Sequence, residues 1–438
     1  MNQKAIFNYI FEAFNRQKVD YVIIHSYQDL PERFESDIDI AINVFDIKDA
    51  IKLLDDTLEG TEWKIIQYWR HENYAVDCVI SNGDEFLQID FCTHYERNGR
   101  VILSVKELLY NKKRCRNFYT PDSRVEFIYI LLKKILKKNF SEGSKIQLLS
   151  LWNLMTEYEK VDTKKRLYRF LSEDRINEII QCIEVSDYSR INLDVTYKEL
   201  KRKTFKLLDC ILYNIFDFRR KAERIMYPTG LFIVLLGVDG AGKTTIADLL
   251  KKRYVSAFRR ISHYHSRVRV LNDISQIKKG SAPIDASNPH EKKFQPSKMI
   301  SVVKFAYYFL DFLIGNVKIT VERIKSTLVI IERYYYDYSI DKVRYNLNLS
   351  TSFLKFWEKF VKRPDVIFVL TGDSQVLQER KHEITIEEIN TQKERLQSRF
   401  LNDKRAVFID TTQLSADECA KQMILICNKI MRERREWN

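Results

Sequence analysis

Residues 231–254 read "LFIVLLGVDGAGKTTIADLLKKRY", and three successive patterns in this stretch decide what surrounds it. "LFIVLLG" is apolar without a break, as a strand buried on both faces of a parallel sheet must be. "TTIADLLKKRY" has helical spacing. Between them, Gly237, Gly242, Lys243 and Thr244 satisfy G-x-x-x-x-G-K-[ST]. Glycines at these points let backbone N–H groups turn inward around phosphate oxygens. Lys243 is then placed to reach the β- and γ-phosphates, and the Thr244 hydroxyl to face a magnesium ion. The helix that follows adds its positive end to the same spot. Nucleotide contacts are therefore expected from Gly237, Asp239, Gly240, Ala241, Gly242, Lys243, Thr244 and Thr245. A glycine-rich structural turn is the competing reading, and the strand-loop-helix context argues against it.

Downstream, "TLVIIER" (327–333), "DVIFVLTG" (365–372) and "AVFID" (406–410) read as further strands with helical segments between them. That alternation predicts a doubly wound α/β domain over 227–438. Upstream, "YVIIHS" (21–26) and "DIDIAINV" (37–44) read as strands. "YAVDCVI" and "EFLQIDF" flank the hairpin signal Ser81-Asn82-Gly83-Asp84. Ile6, Phe7, Ile10, Phe11 and Phe14 share one face of a helix, and 47–59 is helical as well. The mixed α/β pattern stops near 122, and 123–226 carries helical spacing with few Gly or Pro. The expected organisation is thus α/β multidomain: a mixed α/β domain at 1–122, a helical linker domain at 123–226, and the doubly wound domain at 227–438.

A chain of 438 residues exceeds what one hydrophobic core supports. The net charge of +13 is compatible with nucleic acid, an anionic membrane surface or phosphorylated small molecules, and by itself selects none of them. Seven cysteines without a C-x-x-C pair argue against zinc and disulfide frameworks and for a reducing cytoplasm. The N-terminus lacks a long apolar run, so no signal peptide is expected. "FAYYFLDFLIG" (305–315) is too short to span a bilayer and is expected as a buried helix.

The wording "GVDGAGKTT" (237–245) resembles the loop of thymidylate kinases, in which an Asp follows the first glycine by two. The resemblance places Asp239 near the acceptor. A second landmark of that family is a strand ending in Asp-Arg-Tyr, and here Glu332-Arg333-Tyr334 stands in that place. It implies Arg333 on the acceptor phosphate, a group suited to such a fork, Tyr334 at the acceptor, and Glu332 as a longer stand-in for the family's magnesium-side Asp. A third landmark is the mobile lid, where Arg380 and Lys381 match a basic pair. Gly240 stands where some loops carry an arginine, so the lid is the expected source of the catalytic cation. ATP and Mg2+ are the implied cofactors. Between 255 and 326 the chain is longer than a compact thymidylate kinase and contains "HYHSRVRVL" and "NPHEKKFQPSK". "RYYYD…D…RY" then resembles a looser group of bacterial kinase-like proteins encoded with surface-polysaccharide genes. Arg333, Asp337, Asp341 and Arg344 match its pattern, with Asp337 and Arg344 expected at the acceptor. The acceptor is either a nucleoside monophosphate or a phosphorylated or hydroxylated glycan precursor.

In "SDIDIAI" (36–42), Asp37 and Asp39 fall on one face of a strand, while Ile38 and Ile40 point to the core. Asp90 lies on a neighbouring strand pattern. Such a carboxylate set suits two-metal nucleotidyl transfer, and 1–120 resembles the nucleotidyltransferase superfamily, with Asp37, Asp39 and Asp90 as metal ligands. His25-Ser26 replaces that superfamily's Gly-Ser. Asp77 is a rival third ligand, and His25 and His94 are candidate supporting groups. An active transferase, a binding module without catalysis and plain surface acids are the three readings of this cluster. For the whole chain, a bifunctional transferase leads. A nucleic-acid- or protein-modifying module with an NTP switch, and a nucleotide-sensing scaffold, are the alternatives. A homodimer and nucleic-acid contact stay open.

Overall fold

The computed structural model describes residues 1–34, 36–97, 99–271, 296–382 and 384–436. The chain forms two compact units, Met1–Asn82 with Leu87–Glu223, and Gly83–Phe86 with Arg224–Asn438. No disulfide joins the described cysteines.

In the first unit, strands β1 (Tyr21–Ile23), β2 (Ile38–Ile42), β3 (Lys64–Glu72), β4 (Ala75–Ser81) and β5 (Phe86–Cys92) form a sheet in the order β1-β2-β5-β4-β3. Side chains alternate between its faces. Ile38, Ile40, Val76, Cys78, Ile80, Leu87, Ile89 and Phe91 enter one core, with Ile6, Phe7, Ile10, Phe11 and Phe14 of helix α1 (Gln3–Arg16) and Ala50 and Leu54 of α2 (Ile47–Leu58). The intervening residues Asp39, Asp77 and Asp90 are thereby turned to the opposite face.

Strand β3 was not expected from sequence, because "KIIQYWRHE" mixes charge into its alternation. Two short hairpins follow, β6 (Tyr95–Glu96) with β7 (Val101–Leu103), and, after α3 (Val105–Leu108), β8 (Lys113–Cys115) with β9 (Phe118–Thr120). The region 123–226 carries the helices α4 (Ser123–Lys137), α5 (Glu142–Leu154), α6 (Glu157–Leu167), α7 (Glu173–Glu184), α8 (Leu193–Lys203) and α9 (Leu207–Met226). Helices α4 to α8 do not form a body of their own. Phe127, Leu131, Ile135, Trp152 and Ile179 share a second core with Val22, Ile24 and Ala41 of the sheet region, so the helices pack into the first unit.

The second unit holds a parallel sheet of β10 (Leu231–Gly237), β11 (Arg260–His265), β12 (Thr327–Glu332), β13 (Val366–Thr371) and β14 (Ala406–Asp410), in the order β11-β12-β10-β13-β14. β10 is central and buried throughout. Full burial of a residue such as Phe232 or Ile331 contributes about 1.5–3 kcal/mol. Around the sheet run α10 (Lys243–Arg253), α11 (Lys298–Ile324), α12 (Asp337–Ile340), α13 (Lys342–Tyr345), α14 (Thr351–Trp357), α15 (Ser374–Arg380), α16 (Ile386–Phe400) and α17 (Ala416–Glu436).

The apolar run at 305–315 is the middle of α11, whose 27 residues are long and apolar enough, by length and composition, to cross a membrane. This corrects the expectation of a short run. Burial is one-sided: Phe305, Phe309, Phe312 and Ile319 pack into the core, whereas Met299 and Val317 are exposed. Most of the "NPHEKKFQPSK" stretch lies outside the described residues.

Candidate functional site

The loop between β10 and α10 is built on three glycines with positive φ: Gly237 (149°), Gly240 (84°) and Gly242 (79°). At Gly240 a Cβ would lie 2.3 Å from the Leu377 carbonyl oxygen, and at Gly237 2.5 Å from that of Leu370. No side chain fits at either place, and only glycine takes these angles without strain. The loop lines a cavity of about 620 Å³, together with His265, Glu332, Arg333, Arg344, Arg380 and Lys381.

Lys243 is buried, and its Nζ donates to the carbonyls of Gly237 and Val238, each at 2.8 Å. Burial, then the charge of Arg333, pushes its ammonium down to about 7, against the pull of Asp239, Asp337 and Glu332.

β12 lies next to β10, so its C-terminal residues meet the start of α10. The Thr244 hydroxyl donates to Glu332 Oε2 at 2.9 Å. His263 Nε2 is 2.7 Å from Glu332 Oε1, and His265 Nδ1 is 3.4 Å from the same atom. Burial works against ionisation of Glu332. The His263 bond, His265 and the Thr244 hydroxyl outweigh it and hold the carboxyl below its ordinary value. One ligand atom from each of His263, His265 and Glu332 falls within 4.8 Å of the others, so this group can hold a metal ion. The two histidines were not singled out from sequence. Their signal was the alternation in "RISHYH" (260–265), which is β11, paired in register so that His265 sits beside Glu332.

Arg333 follows β12 in a left-handed conformation (φ 56°), held by its N–H to the Leu235 carbonyl at 2.9 Å. Its guanidinium meets Asp239 and lies 3.6 Å from Asp337. Arg344 bonds Asp239 and, at 3.2 Å, Asp341. Lys381 Nζ is 3.9 Å from Asp239, and Arg380 donates to the Thr411 carbonyl at 3.0 Å. Burial raises the Asp239 carboxyl, but Arg333, Lys243, Arg344 and Lys381 bring it down to about 2. The structure thus gathers Asp239, Arg333, Arg344, Arg380 and Lys381 around the cavity that the loop lines.

Two expected acceptor contacts lie elsewhere. Tyr334 packs against Phe232 and Phe312 in the core and donates its hydroxyl to the Lys362 carbonyl at 2.9 Å. Its expected place at the acceptor is corrected: it follows a buried strand and faces inward. Asp337 sits behind the cavity and accepts from the Tyr345 hydroxyl at 3.0 Å. Burial raises its carboxyl despite Arg333.

No protein-family model matches the chain. It is 26% identical over 199 residues to a probable thymidylate kinase of Methanocaldococcus jannaschii, covering 44% of this chain and 94% of that protein. It is also 26% identical over 157 residues to the signal recognition particle receptor FtsY of Buchnera aphidicola, covering 34% of this chain and 42% of the receptor. Among solved structures, thymidylate kinase from Ehrlichia chaffeensis aligns over 45% of this chain and 98% of its own, at 16% identity and a TM-score of 0.32. Thymidylate-kinase-like similarity therefore extends over somewhat less than half of the chain.

In the first unit, Asp39 and Asp90 are register partners on the parallel strands β2 and β5. Asp37 precedes β2 and is exposed. Asp39 Oδ2 lies 2.8 Å from His25 Nε2, and Lys133 Nζ lies 2.6 Å from that nitrogen. Burial opposes ionisation of Asp39, but His25 and then Lys133 hold its carboxyl below its ordinary value. Although the residue as a whole is exposed, partial desolvation of the Asp37 carboxyl against the sheet, then the neighbouring charge of Asp39, push it up. Asp90 Oδ1 is buried and makes no hydrogen bond among the described residues.

Ligand atoms of His71, Asp77 and Asp90 fall within 4.8 Å of one another. His71 Nδ1 is 3.0 Å from Asp77 Oδ1. The register of β3 and β4 shifts between Arg70 and Glu72, leaving His71 as the extra residue of a bulge, a device that re-aims side chains. The rival Asp77 is thus placed beside Asp90. His71 and Lys133 were missed, because one depends on a bulge and the other lies on a helix remote in sequence. His94 pairs with Glu96 at 3.0 Å.

Proposed function

We propose that the chain is an ATP- and magnesium-dependent phosphotransferase whose acceptor is a small anionic molecule. The carrying observation is that Lys243 and Thr244 of the loop, Glu332 of the neighbouring strand, and Arg333 and Arg344 all border one cavity. The similarity to thymidylate kinases supports a nucleotide-kinase type of transfer.

In this reading the loop amides and Lys243 bind the β- and γ-phosphates. Thr244 and Glu332 fit a divalent cation, since a hydroxyl and a carboxylate meet at 2.9 Å in the position such a donor set requires. When bound, magnesium would neutralise charge on the phosphate oxygens. His263 orients Glu332. Arg333, Arg344, Arg380 and Lys381 position the acceptor oxygen and balance charge on the transferring group, which is most of what phosphoryl transfer asks of a protein. The bond from the γ-phosphorus to its bridging oxygen breaks, ADP leaves with that electron pair, and a new P–O bond forms to the acceptor. A hydroxyl acceptor would also release a proton.

For the first unit, the juxtaposition of Asp39 and Asp90, with a buried carboxylate oxygen that makes no hydrogen bond among the described residues, supports a second, cation-dependent site of nucleotidyltransferase type. Asp37, Asp39, Asp77, Asp90 and His71 are the groups available to it. The assay for both readings is nucleotide consumption by the full chain against nucleoside monophosphates, sugar phosphates and polyols, run with Lys243→Ala and Asp39→Asn. Consumption that depends on no acceptor and survives Lys243→Ala would sink the phosphotransferase reading. A nucleotide-sensing scaffold would instead bind nucleotide and consume none with any acceptor.

A further inference from the structure

Four adjacent strands of the first sheet each bring a metal-ligating side chain to one row: Asp39 on β2, Asp90 on β5, Asp77 on β4 and His71 on β3. Basic groups stand at the two ends of that row. His25 and Lys133 hold the Asp39 end, and His71 stands at the other. Between them lie Asp77, which is 7% exposed, and Asp90. Carboxylates this close repel unless a cation lies among them.

An ordinary His71–Asp77 ion pair leaves two atoms unexplained. Asp90 Oδ1 is buried and makes no hydrogen bond among the described residues. His71 Nδ1 lies 3.0 Å from Asp77 Oδ1 and is also buried, but the two are not aligned as a hydrogen bond. Two ligand atoms that each stand about 2.1 Å from one ion, at right angles, are about 3 Å apart. The Asp90 ligand atom falls within 4.8 Å of both. The bulge at His71 is what brings the imidazole to this place.

Building on the cation-dependent reading of the first unit, we propose that His71, Asp77 and Asp90 hold one divalent ion of the zinc and cobalt class in preference to magnesium. Magnesium takes oxygen donors and keeps its waters, whereas an imidazole nitrogen suits the later first-row ions. Three protein ligands leave a coordination position open, as in catalytic and not structural zinc sites. The His71 side chain, 33% exposed, gives solvent access to that position.

The test is isothermal titration of the metal-stripped full chain with cobalt, zinc or magnesium chloride alone. The chain carries His263→Gln and His265→Gln, so that the imidazoles at Glu332 do not compete. Co2+ is expected to bind at least about tenfold tighter than Mg2+, and its visible absorption reports the nitrogen ligand. His71→Ala and Asp77→Asn should each weaken Co2+ by more than about tenfold, since loss of even a ligand's outer partner costs that much. His71→Glu exchanges nitrogen for oxygen. It should keep Mg2+ binding, which shows that it is folded, and lose most of the preference for Co2+. Equal affinity for Co2+ and Mg2+ overturns the proposal. So does Co2+ binding that needs Asp39 and Asp90 but survives His71→Ala and Asp77→Asn, and in both cases the cation-dependent reading of the first unit stands. If none of the three ions binds in a way that Asp39→Asn or Asp90→Asn alters, that reading falls as well.

Discussion

Nucleotide binding by this chain should take up protons, and the amount should follow the state of Lys243. Burial and the nearby Arg333 guanidinium bring the Lys243 ammonium from 10.5 down to about 7 in the unloaded loop. That displacement corresponds to a cost of about 5 kcal/mol for holding the charge there. The cost is carried in full below pH 7, where the folded and unfolded chains are both protonated. It is relieved as pH rises from 7 to 10.5, where the unfolded chain binds more protons than the folded one.

Phosphate oxygens arriving at Nζ supply the missing counter-charge and raise the ammonium's affinity for its proton. Lys243 is roughly half deprotonated at pH 7, about nine-tenths at pH 8 and about one-tenth at pH 6. Binding of magnesium AMP-PNP should therefore take up about 0.5, 0.9 and 0.1 proton at those values. Titration calorimetry in pairs of buffers with different ionisation enthalpies reads this number directly. Uptake that stays flat from pH 6 to 8, or that persists in Lys243→Met, refutes the assignment.

Other outcomes follow from the same geometry. Asp239→Asn should destabilise the second unit by about 2 kcal/mol at neutral pH, given a carboxyl drawn from 3.8 to about 2. The contribution is present above pH 4 and is lost as pH falls through 2, so the gap in Tm between variant and parent, measured calorimetrically, should close over that range. Tyr334→Phe removes a hydroxyl that serves the Lys362 carbonyl. It should cost about 1 kcal/mol in denaturant unfolding and leave the acceptor KM unchanged. A raised KM would put Tyr334 at the acceptor after all. Asp90→Asn should abolish one of the Mn2+ sites counted by electron paramagnetic resonance, whereas Lys243→Met should leave that site filled. An unchanged count would remove the cation site from the first unit.

Much of the candidate site was legible in the linear chain because its parts are local. The glycines, Lys243 and Thr244 lie within eight consecutive residues of a loop whose backbone angles demand glycine, and a strand-loop-helix pattern can be read from periodicity alone. Glu332 and Arg333 were legible because they close an uninterrupted apolar strand. Helix periodicity likewise located 123–226, but could not say what those helices pack on. The apolar faces of α4 to α8 share a core with Val22, Ile24 and Ala41, more than a hundred residues away in the case of α5 to α8.

What the sequence could not supply was every relation set by strand order and burial. β11 joins the sheet beside β12, and only that pairing brings His263 and His265 to Glu332. The inward turn after β12 sends Tyr334 into the core while Arg333 faces the cavity, and residue type does not encode that choice. In the first unit, the Asp-x-Asp spacing foretold a carboxylate face. A bulge at His71 and the parallel pairing of β2 with β5 decided which groups meet there. Local backbone chemistry wrote the glycine loop at 237–244 into the chain. The shape and charge of the space beside it come from side chains brought together over a hundred residues or more, as Asp239 and Arg344 are, and those exist only once the sheet has closed its neighbours.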